Sequence, residues 1–164
     1  MMNTVIPEGY KSALGIYDTQ KAISLLKRLF IDRLAGELNL YRVSAPLFVE
    51  AKTGVNDDLN GVERPVSFDI ANTDKEGQVV HSLAKWKRMA LGRYGFFPGK
   101  GLYTDMNAIR RGEEMDNLHS IYVDQWDWEK VIEEKDRTLP FLKSQVEKIV
   151  GALCDTQLTL QSIY

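Results

Sequence analysis

Residues 101–129 read GLYTDMNAIRRGEEMDNLHSIYVDQWDWE. Two strand-like runs, Leu102 to Arg110 and Leu118 to Trp128, flank the polar loop RRGEEMDN, so the stretch predicts an antiparallel pair. In the second run, alternation puts Gln125, Asp127 and Glu129 on one face and Asp124, Trp126 and Trp128 on the other. Strand interiors avoid Asp and Gln. A row of them costs stability unless the face opens on a polar cleft, which makes it a candidate substrate floor. The plainer alternative is an edge strand with its polar face in water and its tryptophans in the core. Arg110 ends the first run beside the loop, and alternation turns Arg111 away.

Upstream, HSLAKWKRMALGRYG predicts a helix over Leu83 to Leu91, with Ser82 as cap and Gly92 as terminator. Lys85, Lys87 and Arg88 crowd its first turns, where the helix dipole favours acids. Free amides, Ser82 and lysines at one helix start form an anion site; the plainer reading is solvent-facing Lys85 and Arg88 around a core Trp86. Before this helix, Val66, Phe68 and Ile70 alternate, and the turn series NTDKEG leads into Val79 and Val80, which predicts a hairpin. TGVNDDLNG, residues 53–61, is a Gly-flanked turn segment with adjacent carboxylates at Asp57 and Asp58.

Nearer the N-terminus, Ala22, Leu25, Leu26, Leu29, Leu34 and Leu38 recur at helical spacing, predicting an amphipathic helix capped at Asp18 or Thr19. Tyr41 to Val49 alternates like a strand, with Pro46 confined to an edge, bulge or interface. Met1 to Gly15 reads as an irregular arm that needs a partner surface for order. At the other end Thr138, Pro140, Leu142, Val146, Ile149, Leu153 and Leu160 predict a long amphipathic helix. His119 and Cys154 read as packing residues. The order of elements is α+β, built on antiparallel sheet flanked by helices.

The 164 residues match one ordinary domain, and 44% hydrophobic with 27% charged residues exclude disordered and collagenous classes. Twenty-one Lys and Arg against 23 Asp and Glu give a net charge of -2. No global field therefore attracts nucleic acid or an anionic membrane, and any anion site is local. Charge is nevertheless segregated. His81 to Arg111 holds seven basic residues and one acid, while acids dominate Gly112 to Arg137. A site for a dipolar ligand and two mutually pairing solvated faces explain this equally well. One cysteine and two histidines argue against a disulfide or a protein-built transition-metal centre. Without a signal-like start or a long apolar run, the chain reads as cytoplasmic.

No GxGxxG, GxxxxGK[ST] or GxSxG motif is present. However, TGVNDDLNGVERPVSF, VVHSLAKWKR, GLYTDMNAIR and LHSIYVDQWDWE, in this order and spacing, resemble the ammonia-dependent asparagine synthetases, or aspartate-ammonia ligases, from about Ile6 to the final helix. That family resembles the catalytic domain of class II aminoacyl-tRNA synthetases. The resemblance implies a homodimer whose interface is built by the first long helix and the strand with Pro46. It also implies an ATP-holding hairpin in GLYTDMNAIR and LHSIYVDQ. The implied chemistry is attack of the aspartate β-carboxylate on ATP, with Mg²⁺, to give β-aspartyl-AMP, followed by attack of ammonia.

By matching position, Arg110 resembles the arginine on the α-phosphate, and Ser82 and Lys87 resemble holders of the aspartate carboxylates. Gln125 and Asp127 resemble the readers of the amino acid, Asp127 facing its ammonium, and Asp57 resembles a loop aspartate that closes over substrate and orients ammonia. No metal ligands are assigned. The family continues into a second half with a third class II motif, so residues 1–164 resemble a truncated, N-terminal half of the catalytic domain. A competing reading is a non-catalytic module for amino-acid binding or dimerisation, and a tRNA synthetase comes third. A half is expected to expose apolar surface on its last helix and at a sheet edge.

Overall fold

The computed structural model describes residues 4–57, 59 and 61–164. Asp58, one of the paired loop carboxylates, and residues 1–3 of the N-terminal arm lie outside the described residues. The chain forms three helices, α1 (Ile16–Leu38), α2 (Ala84–Arg93) and α3 (Leu139–Gln161). Its strands are β1 (Leu40–Arg42), β2 (Phe48–Glu50), β3 (Ser67–Asp69), β4 (Glu76–Val79), β5 (Gly101–Ile109) and β6 (Tyr122–Lys130). They make two three-stranded sheets, ordered β1-β5-β6 and β2-β4-β3. The result is mixed α and β. No helix among the described residues is long and apolar enough to cross a membrane.

The chain packs as two compact units. One contains Arg42–Gly95, Leu102–Glu129 and the described start of the chain up to Pro7. Here the expected hairpin forms, with β3 and β4 antiparallel and Phe68 opposite Gly77. β2 adds to its other edge, Phe48 opposite Val79. The run from Tyr41 to Val49 is therefore not one strand. Pro46 lies in the connection between β1 and β2, where its missing N–H interrupts no ladder. β5 and β6 are the expected antiparallel pair, bracketed by Arg110 N donating to Ile121 O at 2.8 Å and Val131 N donating to Lys100 O at 2.9 Å.

The core of this unit is Val80, Leu83, Met106 and Ala108, with Ala45, Val49, Trp86 and Val123 packed against it. Leu102, Thr104, Met106 and Ala108 alternate inward along β5. On β6 the inward face carries Val123, so its odd-numbered residues look toward the core and α2. This corrects the expectation that Trp126 and Trp128 fill the core: both are half-buried and on the opposite face. The arm is tied down locally, because the Asn117 amide donates to Val5 O at 2.9 Å and accepts from Val5 N at 2.8 Å.

The other unit contains Glu8–Tyr41, Phe96–Gly101 and Lys130–Tyr164. Its α1 begins at Gly15 rather than Asp18 or Thr19, because the Gly15 carbonyl accepts from both the amide and the hydroxyl of Thr19 at 2.9 Å. The polar pair that resembles a cap sits inside the first turn. Asn39 closes α1 in the left-handed region, at φ 58°. α3 starts as expected, Thr138 accepting from Phe141 N with Pro140 in the first turn. α1 and α3 pack through buried Leu34, Leu38, Ala152 and Thr156, and Arg33 donates to Thr159 at 2.7 Å and to Thr156 at 3.3 Å. Leu139, Leu142, Val146, Val150 and Leu153 stay exposed on α3. Cys154 is exposed as well, which corrects its reading as a packing residue.

Candidate functional site

Every sequence-expected site residue lies in the first unit. Its hub is the turn from β4 into α2. Val79 and Val80 end the hairpin in the core, and the chain then enters α2 through His81, Ser82 and Leu83. Leu83, not Ser82, is the N-cap residue; the Ser82 hydroxyl accepts from Ala84 N at 3.2 Å. Ser82 thus satisfies a free helix amide from one position earlier than expected.

Among the described residues Lys87 is the most deeply placed charge, its side chain 3% exposed. Helical spacing puts it on the same side of α2 as Ala90 and Leu91, which are buried. Lys87 Nζ forms a close ion pair with Asp127 Oδ1, donates to Trp128 O at 3.1 Å and lies 3.9 Å from Glu129 Oε1. Arg88 Nε reaches Glu129 at 3.8 Å from the exposed side. Gln125 sits next along the same face, its amide 3.5 Å from Met106 Sδ. Gln125, Asp127 and Lys87 are therefore brought together, on the face that α2 covers. The polar row on β6 is compatible with burial because a buried ammonium answers it.

Asp57 is approached from α2 too. Lys85 Nζ donates to Gly54 O at 3.2 Å and lies 3.5 Å from Asp57 Oδ1, while Asp57 Oδ2 is buried without a partner among the described residues. Thus Lys85 and Lys87 do not present a free basic helix start; each has a carbonyl and a carboxylate. The two oppositely charged runs of the sequence meet as pairs here.

Arg110 stands beside a cleft of about 550 Å³ that it shares with His81, Arg64, Arg111 and the 113–119 loop. Arg111 was expected to turn away. β5 ends at Ile109, so strand alternation stops before it, and Arg111 lines the same cleft. Nor is His119 a packing residue: it is exposed, its Nδ1 2.9 Å from Asp116 Oδ1, and Asp116 also accepts from the amides of Leu118 and His119. The Leu118 amide first, then the His119 imidazole and the His119 amide, hold the Asp116 carboxyl down at about 2. The same pairing raises His119 above the ordinary histidine value.

Two residues escape sequence reasoning. Asn56 is buried, donates to Val79 O at 3.2 Å and accepts from His81 N at 2.9 Å, so it ties the Asp57 loop to the hub. His81 is 1% exposed, and its Nε2 has no partner among the described residues. An asparagine inside a turn-rich string and a single histidine carry no periodic signal. Among the described residues no cluster of three or more His, Cys, Asp or Glu could hold a metal ion.

Residues 17–164 match the family described as aspartate-ammonia ligase. The aspartate–ammonia ligase of Ruminiclostridium cellulolyticum is 60% identical over 165 residues, which cover 99% of this chain and 49% of that protein. That of Clostridium perfringens is 59% identical, covering 96% of this chain and 47% of its own length. The Lactobacillus johnsonii protein of the same name is 54% identical over 99% of this chain and 49% of its own. The chain spans about half the length of the curated relatives it matches. With the family match running along nearly the whole sequence, this chain belongs to the aspartate-ammonia ligase family.

Proposed function

We propose that this chain supplies the aspartate-recognising and activating half of an aspartate-ammonia ligase, which converts L-aspartate, ATP and ammonia to L-asparagine through β-aspartyl-AMP. The observation that carries the reading is the covered Lys87–Asp127 pair with Gln125 beside it. Free aspartate bears an ammonium and two carboxylates. A lysine and a carboxylate that face each other on one strand and one helix offer the complementary poles, Asp127 for the ammonium and Lys87 for a carboxylate, with Gln125 and Ser82 as neutral hydrogen-bonding groups. The fold already bears the desolvation of these charges, so substrate exchanges one ion pair for two.

In the proposed reaction a β-carboxylate oxygen attacks the α-phosphorus of ATP and pyrophosphate leaves. Ammonia then attacks the acyl carbon, AMP departs with the carboxylate oxygen, and the nitrogen loses one proton. Arg110 holds the α-phosphate and stabilises charge that develops on it, while Asp57 faces the acyl carbon from its loop and orients ammonia. Mg²⁺ accompanies ATP. When bound, it would neutralise charge on the phosphates; among the described residues no cluster of His, Cys, Asp or Glu gathers to hold it. The class II synthetase-like architecture, a cytoplasmic homodimer through the Asp18 to Val49 region and the use of ATP belong to the same proposal. A second reading is a module that binds aspartate without turning it over, which the Lys87–Asp127 pair with Gln125 beside it also supports.

Calorimetric titration of the full chain with L-aspartate tests recognition. Binding is expected, and Asp127→Asn should weaken it at least about tenfold, as when a buried charged contact is lost. No binding, or binding unchanged by the substitution, overturns the proposal. Adding ATP, Mg²⁺, ammonium and the second half of a relative as a separate polypeptide then separates the two readings: asparagine and AMP formed together support the ligase, and binding without turnover supports the second.

A further inference from the structure

Among the described residues that line the cleft, His81 is the nearly fully buried one, and the proposed chemistry leaves it without a task. Its backbone N–H is fixed by Asn56 Oδ1 at 2.9 Å, and the residue is 1% exposed. The residue nevertheless lines the cleft, as does Arg110, and neither His81 Nε2 nor Arg110 Nε has a partner among the described residues. A buried donor without a partner is disfavoured. Two such nitrogens on one cleft wall therefore describe a ligand rich in acceptor oxygens. Arg64 and Arg111 line the same cleft and favour an anion, while Glu63, Glu113, Glu114 and Asp116 line it too and oppose a large unshaped one. A phosphoryl group, compact and held by several donors, fits that mixture better than a carboxylate chain does.

We propose that His81 is a further ligand-contact residue, its Nε2–H donating to a phosphoryl oxygen of a nucleoside monophosphate or of its mixed anhydride, beside Arg110. This rests on the ligase reading and adds a residue to it. The contact requires the tautomer protonated on Nε2.

Nitrogen-detected imidazole spectra of the full chain, titrated with AMP and separately with inorganic phosphate, test it. The His81 Nε2 resonance is expected to move on addition of either, and His81→Ala should weaken AMP binding about tenfold, the worth of one hydrogen bond to a charged group. His81→Gln, which can place an N–H near the same point, should recover most of that loss. The amide spectrum of each variant shows whether the fold is kept. If AMP moves cleft amides while His81 stays still, or if His81→Ala binds AMP as the unsubstituted chain does, His81 has no such role although the cleft reading survives. If AMP moves nothing, the nucleotide reading of the cleft falls and the proposal falls with it.

Discussion

Asp127→Ala should leave the Lys87 ammonium buried with one carbonyl and a distant carboxylate. Orphaning one member of a buried pair costs about 3–5 kcal/mol. Here Glu129 remains at 3.9 Å and the Asp127 side chain is 21% exposed, which brings the expected loss below that range, to about 2–3 kcal/mol. That is a large share of a native margin of about 5–15 kcal/mol. All three tryptophans, Trp86, Trp126 and Trp128, fall in the unit that holds the pair, so their fluorescence in a urea titration reports its unfolding. Replacing both partners, Lys87→Met with Asp127→Leu, should regain most of the loss, because an apolar pair needs no mutual compensation. A loss below about 0.5 kcal/mol, the value of a solvated surface pair, would refute the burial argument. So would a double variant no more stable than the single one.

Three further outcomes follow from local geometry. Asn39 holds φ 58° and bonds Gly99 O at 2.9 Å and Lys100 Nζ at 2.8 Å, so Asn39→Ala should be less stable than Asn39→Gly by about 1 kcal/mol, since both lose the side-chain bonds but only alanine resists the left-handed region; thermal melts compare the two. In an NMR pH titration His119 should titrate above the usual histidine range and return to it in Asp116→Asn. The raised imidazole orders the loop below about 6.5 and loses that effect as pH rises through its folded value, whereas the lowered carboxylate contributes above its ordinary range and fails as pH falls toward 2. In Gly77→Ala the new Cβ would stand 2.6 Å from the Phe68 ring, which packs edge-on against Phe48 at 5.0 Å, so the variant should lose about 1–3 kcal/mol and change the near-ultraviolet aromatic signal, less so when Phe68 is also made leucine.

Where one period governs a long segment, the sequence is readable. α2, α3, the β3–β4 hairpin and the β5–β6 pair follow their predicted runs, and the Lys87–Asp127 meeting follows from them. Where the outcome depends on which neighbour covers a face, it is not. Alternation assigns Asp127 and Trp128 to opposite sides of β6 but carries no information on which side α2 crosses, so the tryptophans were expected inward and lie outward. Local competition hides other features: Gly15 accepts from Thr19 and displaces the expected cap, and Asp116 takes two amides and the His119 ring, drawing that histidine to the surface.

The basic start of α2 is the clearest conflict between local and global preference, and the structure shows what resolves it. Positive charge in the first turns opposes the helix dipole, at a cost of roughly 0.3–1 kcal/mol per charge at a surface. Each of these charges instead reaches beyond its own helix: Lys85 to Gly54 O and Asp57, Lys87 to Asp127 and Trp128 O, Arg88 to Glu129. The apolar residues around them face inward, Leu83 and Trp86 at the core and Ala90 with Leu91 buried farther along the helix. One short helix thus anchors the Asp57 loop on one side and the β6 polar row on the other, while Asn56 fixes the turn that enters it. A substitution at Lys85 therefore acts on Asp57 and one at Lys87 acts on Asp127, and the local penalty on the helix is the condition for holding three separate chain segments in one register.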